Sequence, residues 1–132
     1  LLDFSEIKRL ISLCKTKLKE KGEILIFTLE TSKNEIPTFL LMKKRLNISL
    51  NRDMKIINFL SKLYPSVKKN KFSFKVKISR DKYLEMIKKR YISILLSMSS
   101  DQISKGIDEM NYKYRKILNF NDKLICIKIN NR

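Results

Sequence analysis

The sequence predicts an α/β fold in which three strands alternate with helices. Residues 23–29 are almost all apolar, residues 72–79 alternate apolar and polar side chains, and residues 123–129 form a third apolar segment. The segments between them carry apolar residues three and four positions apart, which is typical of amphipathic helices. With 132 residues, the chain is large enough for one domain at most.

The first predicted elements are a helix and a buried strand. Residues 1–4 are interpreted as the end of a preceding strand, and Ser5 is the predicted N-cap of a helix that ends at Gly22. The segment 23–29 reads EILIFTL. Continuous apolar residues are typical of a strand buried on both faces, as in a parallel sheet. This strand is therefore expected in the interior of the sheet.

Two short helices and two loops are expected next. The first helix, 38–46, follows Pro37, and the second, 53–63, ends before the Tyr64-Pro65 pair. Polar residues at 47–51 predict a loop between these helices. Residues 67–71 predict another loop, which leads into the strand at 72–79.

The segment after this strand predicts two further helices. The first carries one apolar stripe, formed by Leu84, Ile87, Tyr91, Ile94, Leu95 and Met98. Ser99 and Gln102 predict a capping box at the start of the second, with Met98 and Ile103 as a hydrophobic staple. This helix is expected to bury side chains as far as Ile117. A turn at 121–122 then leads to the last strand, 123–129.

The net charge of +17 has two interpretations. The lysines are scattered and glycine is scarce, which is typical of a protein from an AT-rich genome, so most of the charge is assigned to solvated side chains. The alternative is a basic module that contacts nucleic-acid phosphates. Its contacts would be Lys68, Lys69, Lys71, Lys75 and Lys77.

Missing residue types exclude several kinds of site. The chain has no histidine, which removes the commonest metal ligand and general base, and no metal site is expected. Its two glycines are far apart, so a glycine-rich nucleotide-binding loop is excluded. Cys14 and Cys126 have no partner at redox or metal-ligand spacing and are predicted to be reduced, buried thiols. An intracellular, cytoplasmic protein without a membrane span is therefore expected.

Three blocks in sequence order resemble the carboxy-terminal half of class I S-adenosylmethionine-dependent methyltransferases of the small-molecule type. Residues 18–27 are similar to the turn and fifth strand of that family, although Glu20 and Lys21 replace its proline and first glycine. Residues 74–95 are similar to the sixth strand and the insertion that follows it. Residues 98–109 and 120–127 are similar to the end of the insertion and the seventh strand.

The resemblance implies a Rossmann-like sheet whose last strands run in the order five, seven, six, with the seventh antiparallel to both neighbours. It implies a two-helix insertion at about 80–119. Residues 1–132 would then be a single partial domain without the glycine-rich half that holds the cofactor. The complete protein would use S-adenosylmethionine, whereas the chain alone is expected to be inactive.

The resemblance also implies where ligands would lie. Leu2 and Asp3 would be close to the methionine part of the cofactor, and Tyr83, Arg90 and Tyr91 would face a small-molecule substrate. Arg90 would anchor a carboxylate or phosphate of that substrate in a bidentate pair. No catalytic residue is assigned, because methyl transfer requires alignment and a dry pocket rather than one obligatory side chain.

Structural roles stay open for these three residues. Arg90 would then cap a helix end or pair with Glu85 or Asp101, and the two tyrosines would be core residues with a hydroxyl at the edge. The expected partner is the missing N-terminal half, or a second copy of the chain that covers the exposed sheet edge. A non-catalytic partner subunit is a further alternative to the methyltransferase fragment.

Overall fold

The computed structural model describes residues 3–131 and has helices and strands in alternation. In chain order the elements are α1 (Phe4–Lys17), β1 (Glu23–Leu29), α2 (Leu40–Leu63), β2 (Lys68–Ser79), α3 (Arg80–Lys88), a 3₁₀ helix (Ser93–Leu95), α4 (Ser100–Lys113) and β3 (Ile117–Asn130). The predicted α/β class is confirmed.

The three strands form one antiparallel sheet in the order β1-β3-β2. The last strand lies between the other two, so β1 and β2 are parallel to each other without touching. Phe27 pairs with Cys126 in the first ladder, and Phe72 pairs with Leu124 in the second. The prediction that the last strand is central and antiparallel to both neighbours is confirmed.

Two apolar clusters pack against the sheet. The first joins the start of β3 to α3, α4 and the beginning of α2, and includes Phe39, Met42, Tyr83, Leu84, Ile87, Met110 and Leu118. The second joins the end of β3 to α1 and the end of α2, and includes Ile11, Ile57, Leu60, Ile125, Ile127 and Ile129. Leu118 and Ile127 are an odd number of residues apart, so their side chains lie on opposite faces of the sheet. β3 therefore buries one face at its start and the other face at its end.

The prediction that β1 is buried on both faces is wrong. Leu25 and Phe27 are 52% and 59% exposed, whereas Ile24 and Ile26 pack against the second cluster. The reason is that α1 and the end of α2 pack against only one face of this strand. β1 is therefore an edge strand of the three-stranded sheet, and one of its apolar faces is uncovered.

One continuous helix replaces the two predicted short helices. α2 runs through residues 47–51, which were expected to form a loop, and its N-cap is Phe39. Leu46, Leu50, Ile57 and Leu60 are all buried along its length. This spacing continues one apolar stripe across the polar segment, so tertiary packing outweighs the weak helix propensity of asparagine and serine.

The first helix begins and ends earlier than expected. Its N-cap is Asp3 rather than Ser5, and it stops at Lys17 rather than at Gly22. Phe4 is helical, so the interpretation of residues 1–4 as a strand end is wrong for Phe4. Leu1 and Leu2 lie outside the described residues. The Asp3 carboxylate satisfies a backbone N–H of the first turn, which fixes the helix start.

The ladder between β2 and β3 is longer than predicted. Residues 68–71 belong to β2 instead of a loop, and 117–122 belong to β3 instead of a helix end and a turn. Twelve consecutive residues of β2 have partners in β3, from Lys68 opposite Lys128 to Ser79 opposite Ile117. Pairing along this whole length satisfies the backbone groups of residues whose side chains alone indicate a loop.

The insertion between these strands has two helices separated by a turn. α3 ends at Lys88, so the predicted helix does not continue to Met98, and Arg90 adopts a positive φ of 55°. The predicted capping box of Ser99 and Gln102 at α4 is confirmed. Met98 and Ile103 are both buried in the first cluster, where a staple would place them.

Close packing at Gly106 gives a first prediction. A Cβ built there would lie 2.7 Å from three ring atoms of Phe39, which is almost fully buried. We expect Gly106→Ala to lower the free energy of unfolding by about 2 kcal/mol, because overpacking of about 3 kcal/mol outweighs a helix-propensity gain of about 1 kcal/mol. Urea unfolding tests this prediction, and Ser104→Ala at an exposed position of α4 is the control. Stabilisation by Gly106→Ala would contradict it.

Candidate functional site

A cavity of about 450 Å³ lies at the carboxyl end of β1. It is enclosed by the middle of α2, by the adjoining part of β2 and β3, and by α3 with the 3₁₀ helix. Its apolar lining includes Leu29, Ile36, Leu50, Val76, Met86 and Phe120, and its polar lining includes Thr28, Arg52, Asp53, Tyr83, Tyr91 and Asp122. An apolar pocket with a few polar groups is typical of small-molecule sites.

Two tyrosine hydroxyls from the insertion meet at this cavity. The Tyr83 hydroxyl donates to the Pro37 carbonyl over 2.9 Å and lies 2.8 Å from the Tyr91 hydroxyl. Because the Tyr83 proton goes to Pro37, Tyr91 is the donor in the second bond. Burial raises the pKa of both phenols, and the charge of Asp122 raises them further. Both hydroxyls are therefore neutral at pH 7.

An ion pair and a threonine form a second polar group in the lining. Arg52 Nη2 lies 3.1 Å from Asp53 Oδ1, and the Thr28 hydroxyl donates to Asp53 Oδ2 over 2.9 Å. α2 supplies the two charges and β1 the hydroxyl. Arg52 Nε is buried and has no hydrogen-bond partner in the described part of the chain.

Asp122 is the third polar group and comes from the central strand. It lies opposite Phe74 in the β2 ladder, and its Oδ1 is buried without a hydrogen-bond partner among residues 3–131. The cavity lining thus holds one arginine and two aspartates. Since the arginine is paired with Asp53, one negative charge is uncompensated.

The structure brings two of the predicted substrate residues together and separates the third. Tyr83 and Tyr91 both line the cavity, whereas Arg90 does not. The Arg90 guanidinium donates to the Leu95 and Met98 carbonyls, each over 2.5 Å. This holds the turn after α3, which is close to the capping role considered from the sequence.

The two carboxylates expected as possible partners of Arg90 form ion pairs with lysines instead. Glu85 pairs with Lys88 at 2.9 Å, and Asp101 pairs with Lys105 at 3.0 Å. Both pairs are three or four residues apart on exposed helix faces, where such pairs contribute only a few tenths of a kcal/mol. Neither carboxylate is therefore a partner of Arg90.

Of the two predicted cofactor residues, the structure describes Asp3, which does not reach this cavity. Asp3 is the N-cap of α1, and its carboxylate accepts hydrogen bonds from the Glu6 backbone N–H at 2.8 Å and the Ser5 hydroxyl at 2.7 Å. It does not line the cavity. Leu2 is outside the described residues.

The described residues do not fit S-adenosylmethionine. Gly22 lies in the turn before β1, and Gly106 packs against Phe39 inside α4. Neither belongs to a loop of glycines after a strand, which is what a dinucleotide-type cofactor cradle requires. Any such cradle would have to come from outside residues 3–131.

Asp122, Arg52 and Asp53 were missed as site residues by the sequence analysis. Asp122 was assigned to a turn and Asp53 to the start of a short helix, and both positions are common for aspartate. The signal that was available is the position of Asp122 between apolar residues, with Phe120 before it and Leu124 after it on the same face. A charge on the apolar face of a strand is unusual unless it is paired or functional.

A larger and more open groove lies on another side of α2. It has a volume of about 720 Å³ and contains Lys33, Lys43, Lys113 and Arg115 with one acidic residue, Glu35. Glu35 is already bound by Lys123 and Asn121. The groove is therefore basic, in contrast to the negatively charged cavity.

Burial of Tyr83 predicts a pH effect. Its folded pKa is raised, so the native state keeps a proton that the unfolded chain loses above about pH 10. Stability should therefore fall as the pH rises above 10, by up to about 1.4 kcal/mol per pH unit for this group. We expect Tyr83→Phe to lack this component in urea unfolding between pH 9 and 12. Tyr112→Phe, at a fully exposed site, should behave like the parent chain, and equal slopes for all three would contradict the prediction.

Within residues 3–131, no group of three or more potential acidic or cysteine ligands could hold a metal ion, and none of the helices is long and apolar enough to cross a bilayer. Cys126 is buried and Cys14 half-buried, and both are free thiols. No protein-family model and no curated protein matches this chain.

Proposed function

We propose that this chain is the carboxy-terminal half of a class I S-adenosylmethionine-dependent methyltransferase that acts on a small molecule. The observation that carries the proposal is the sheet order, in which the last strand lies between β1 and β2 and runs antiparallel to both. The family that the sequence resembles has its fifth, seventh and sixth strands in this arrangement.

The position of the cavity supports the same function. Ligands in open α/β sheets bind outside the carboxyl ends of the parallel strands. Thr28 and Leu29 place the cavity at that end of β1, and Tyr83 and Tyr91 enclose it from the insertion after β2. The resembled family uses its insertion at this place to cover the substrate.

The free edge and the uncovered face of the sheet are further support for the proposal, because a partner chain or segment could continue the sheet there. Within residues 3–131 only β3 pairs with β1, so the other edge of β1 offers backbone groups that can pair with another strand. Leu25, Phe27, Phe72 and Phe74 are exposed apolar side chains on the sheet face opposite the second cluster. An N-terminal half with the cofactor cradle is the proposed partner for this edge and face.

The test compares the natural gene product with this chain. If the proposal is correct, the reading frame upstream encodes a glycine-rich strand-loop-helix with an acid about twenty residues on. The complete product should bind S-adenosylmethionine in calorimetry and transfer its labelled methyl group to small molecules from a cell extract, whereas residues 1–132 alone should do neither. A complete product without cofactor binding would refute the proposal.

A second candidate function is nucleic-acid binding. Lys69, Lys71, Lys75 and Lys77 alternate along β2 and share one exposed face, whereas Lys68 lies on the other. Lys71 is partly engaged, with its Nζ 3.2 Å from Glu30. Exposed Phe72 and Phe74 lie on the opposite face, so they cannot stack bases bound along the lysines.

A salt titration distinguishes this candidate. Tight binding of generic RNA with a steep dependence on salt would favour a basic module, since each neutralised phosphate releases counterions. Weak binding that vanishes by physiological salt would favour solvated surface lysines. Co-purification of this chain with a separate glycine-rich chain would instead support the non-catalytic partner subunit.

A further inference from the structure

We propose that the cavity between α2, α3 and the sheet binds a ligand with an apolar body and one protonated amine, and that Asp122 is the counter-ion of that amine. Identifying this ligand as the methyl acceptor rests on the proposed function. The binding itself needs no cofactor and can be measured on this chain alone.

The first argument is the unsatisfied carboxylate. Asp122 lines the cavity, and its Oδ1 is buried and accepts no hydrogen bond from residues 3–131. A buried acceptor without a donor costs free energy, and the cost is greatest for a charged group. An ammonium group brings three donors and a positive charge, so it would remove this cost.

The second argument is that neighbouring cations are engaged elsewhere. Arg52, the one cation that residues 3–131 contribute to the lining, is paired through its Nη2 with Asp53, which also accepts from Thr28. Lys123 follows Asp122 in sequence but projects from the opposite strand face and binds Glu35. The cavity is therefore negative within a chain of net charge +17, which is the reverse of its surroundings.

The third argument is the tyrosine pair. Both phenols are neutral, and the Tyr91 oxygen that donates to Tyr83 retains lone pairs that can accept from an ammonium group. Leu50, Val76 and Met86 supply an apolar surface beside these polar groups. The arrangement therefore selects a cation with an apolar body over a fully hydrated ion.

The same arrangement disfavours an anionic ligand. A carboxylate or phosphate in the cavity would face Asp122, and Arg90 does not reach the cavity because it binds the Leu95 and Met98 carbonyls. The expectation of an anionic substrate held by Arg90 is thus replaced by a cationic one held by Asp122.

The experiment uses three probes with the same skeleton: 2-phenylethylamine, 2-phenylethanol and phenylacetate. Each is titrated into ¹⁵N-labelled chain without S-adenosylmethionine at 0.15 M salt, where fields of distant surface charges are screened beyond about 8 Å. We expect the amine to bind at least tenfold more tightly than the alcohol, with the carboxylate weakest, and shifts at residues 91–94 and 120–124.

Variants identify the counter-ion. Asp122→Asn should remove the preference for the amine over the alcohol, whereas Asp108→Asn, at an exposed site on α4, should keep it. Equal affinities of the three probes for the parent chain, or tighter binding of the carboxylate, would overturn the proposal. So would a folded Asp122→Asn variant that retains the preference, and if that variant does not fold, the ranking on the parent chain still decides.

The result is independent of the methyltransferase test. If this chain prefers the amine but the complete product transfers no methyl group, the cation site stands and the methyltransferase proposal is refuted. Methyl transfer without amine preference would leave the enzyme proposal intact and overturn the assignment of Asp122.

Discussion

Replacing Ile48 by proline is expected to lower the free energy of unfolding by about 3 kcal/mol or more. Ile48 is in the interior of α2 and its side chain is 71% exposed, so the loss comes from the backbone and not from packing. Proline removes one helical hydrogen bond and clashes with the carbonyl four residues earlier. It also disfavours the helical conformation of the preceding residue, Asn47.

The matched control is Ile48→Ala at the same exposed position. Alanine has a higher helix propensity than isoleucine, so this variant should be neutral or more stable by a few tenths of a kcal/mol. Urea unfolding of both variants measures the difference. A proline variant that unfolds like the alanine variant would contradict the continuous helix, because proline is well tolerated in a loop of the kind that residues 47–51 suggest on their own.

Local sequence patterns correctly predicted the elements whose structure depends only on residues that are close together in the sequence. β1 has the predicted bounds, since six consecutive apolar or β-branched residues follow Glu23 and lie between a turn and a polar segment. The capping box at Ser99 also formed as predicted, because it requires only residues three positions apart.

The elements that depend on distant partners could not be predicted. The polar middle of α2 is helical because Leu46 and Leu50 are buried and line the cavity whose other walls are formed by distant segments. The lysine-rich start of β2 is a strand because the end of β3 pairs with it. Such contacts join residues far apart in sequence, so local propensity is outweighed by tertiary structure.

The candidate site shows the same division between local and distant information. The family resemblance implied Tyr83 and Tyr91 as substrate residues, with core packing as the open alternative, and both side chains line the cavity. The sequence places Asp122 between Phe120 and Leu124, but only the fold brings it into one cavity lining with Tyr83 and Tyr91. The sequence contains thirteen acidic residues, and its order alone does not distinguish a buried carboxylate from an exposed one.

The second large effect is expected at Arg90. We predict that Arg90→Ala lowers the free energy of unfolding by about 2–4 kcal/mol, since two charge-assisted hydrogen bonds to backbone carbonyls are lost. Arg90 has a positive φ of 55°, which costs an L-residue about 1–2 kcal/mol but costs glycine little. Arg90→Gly should therefore be about 1 kcal/mol more stable than Arg90→Ala.

Comparing Arg90→Ala with a substitution at an exposed neighbour separates a role in the turn from a role in ligand binding. Lys89→Ala, at the exposed neighbouring position, should stay within about 0.5 kcal/mol of the parent chain in urea unfolding. If Arg90 holds the turn after α3, the folded fraction of either variant should keep its preference for 2-phenylethylamine. If Arg90 instead anchors an anionic substrate, Arg90→Ala should be as stable as Lys89→Ala. That outcome would return the site to the carboxylate or phosphate chemistry first expected from the sequence, and Asp122 would then be a structural carboxylate.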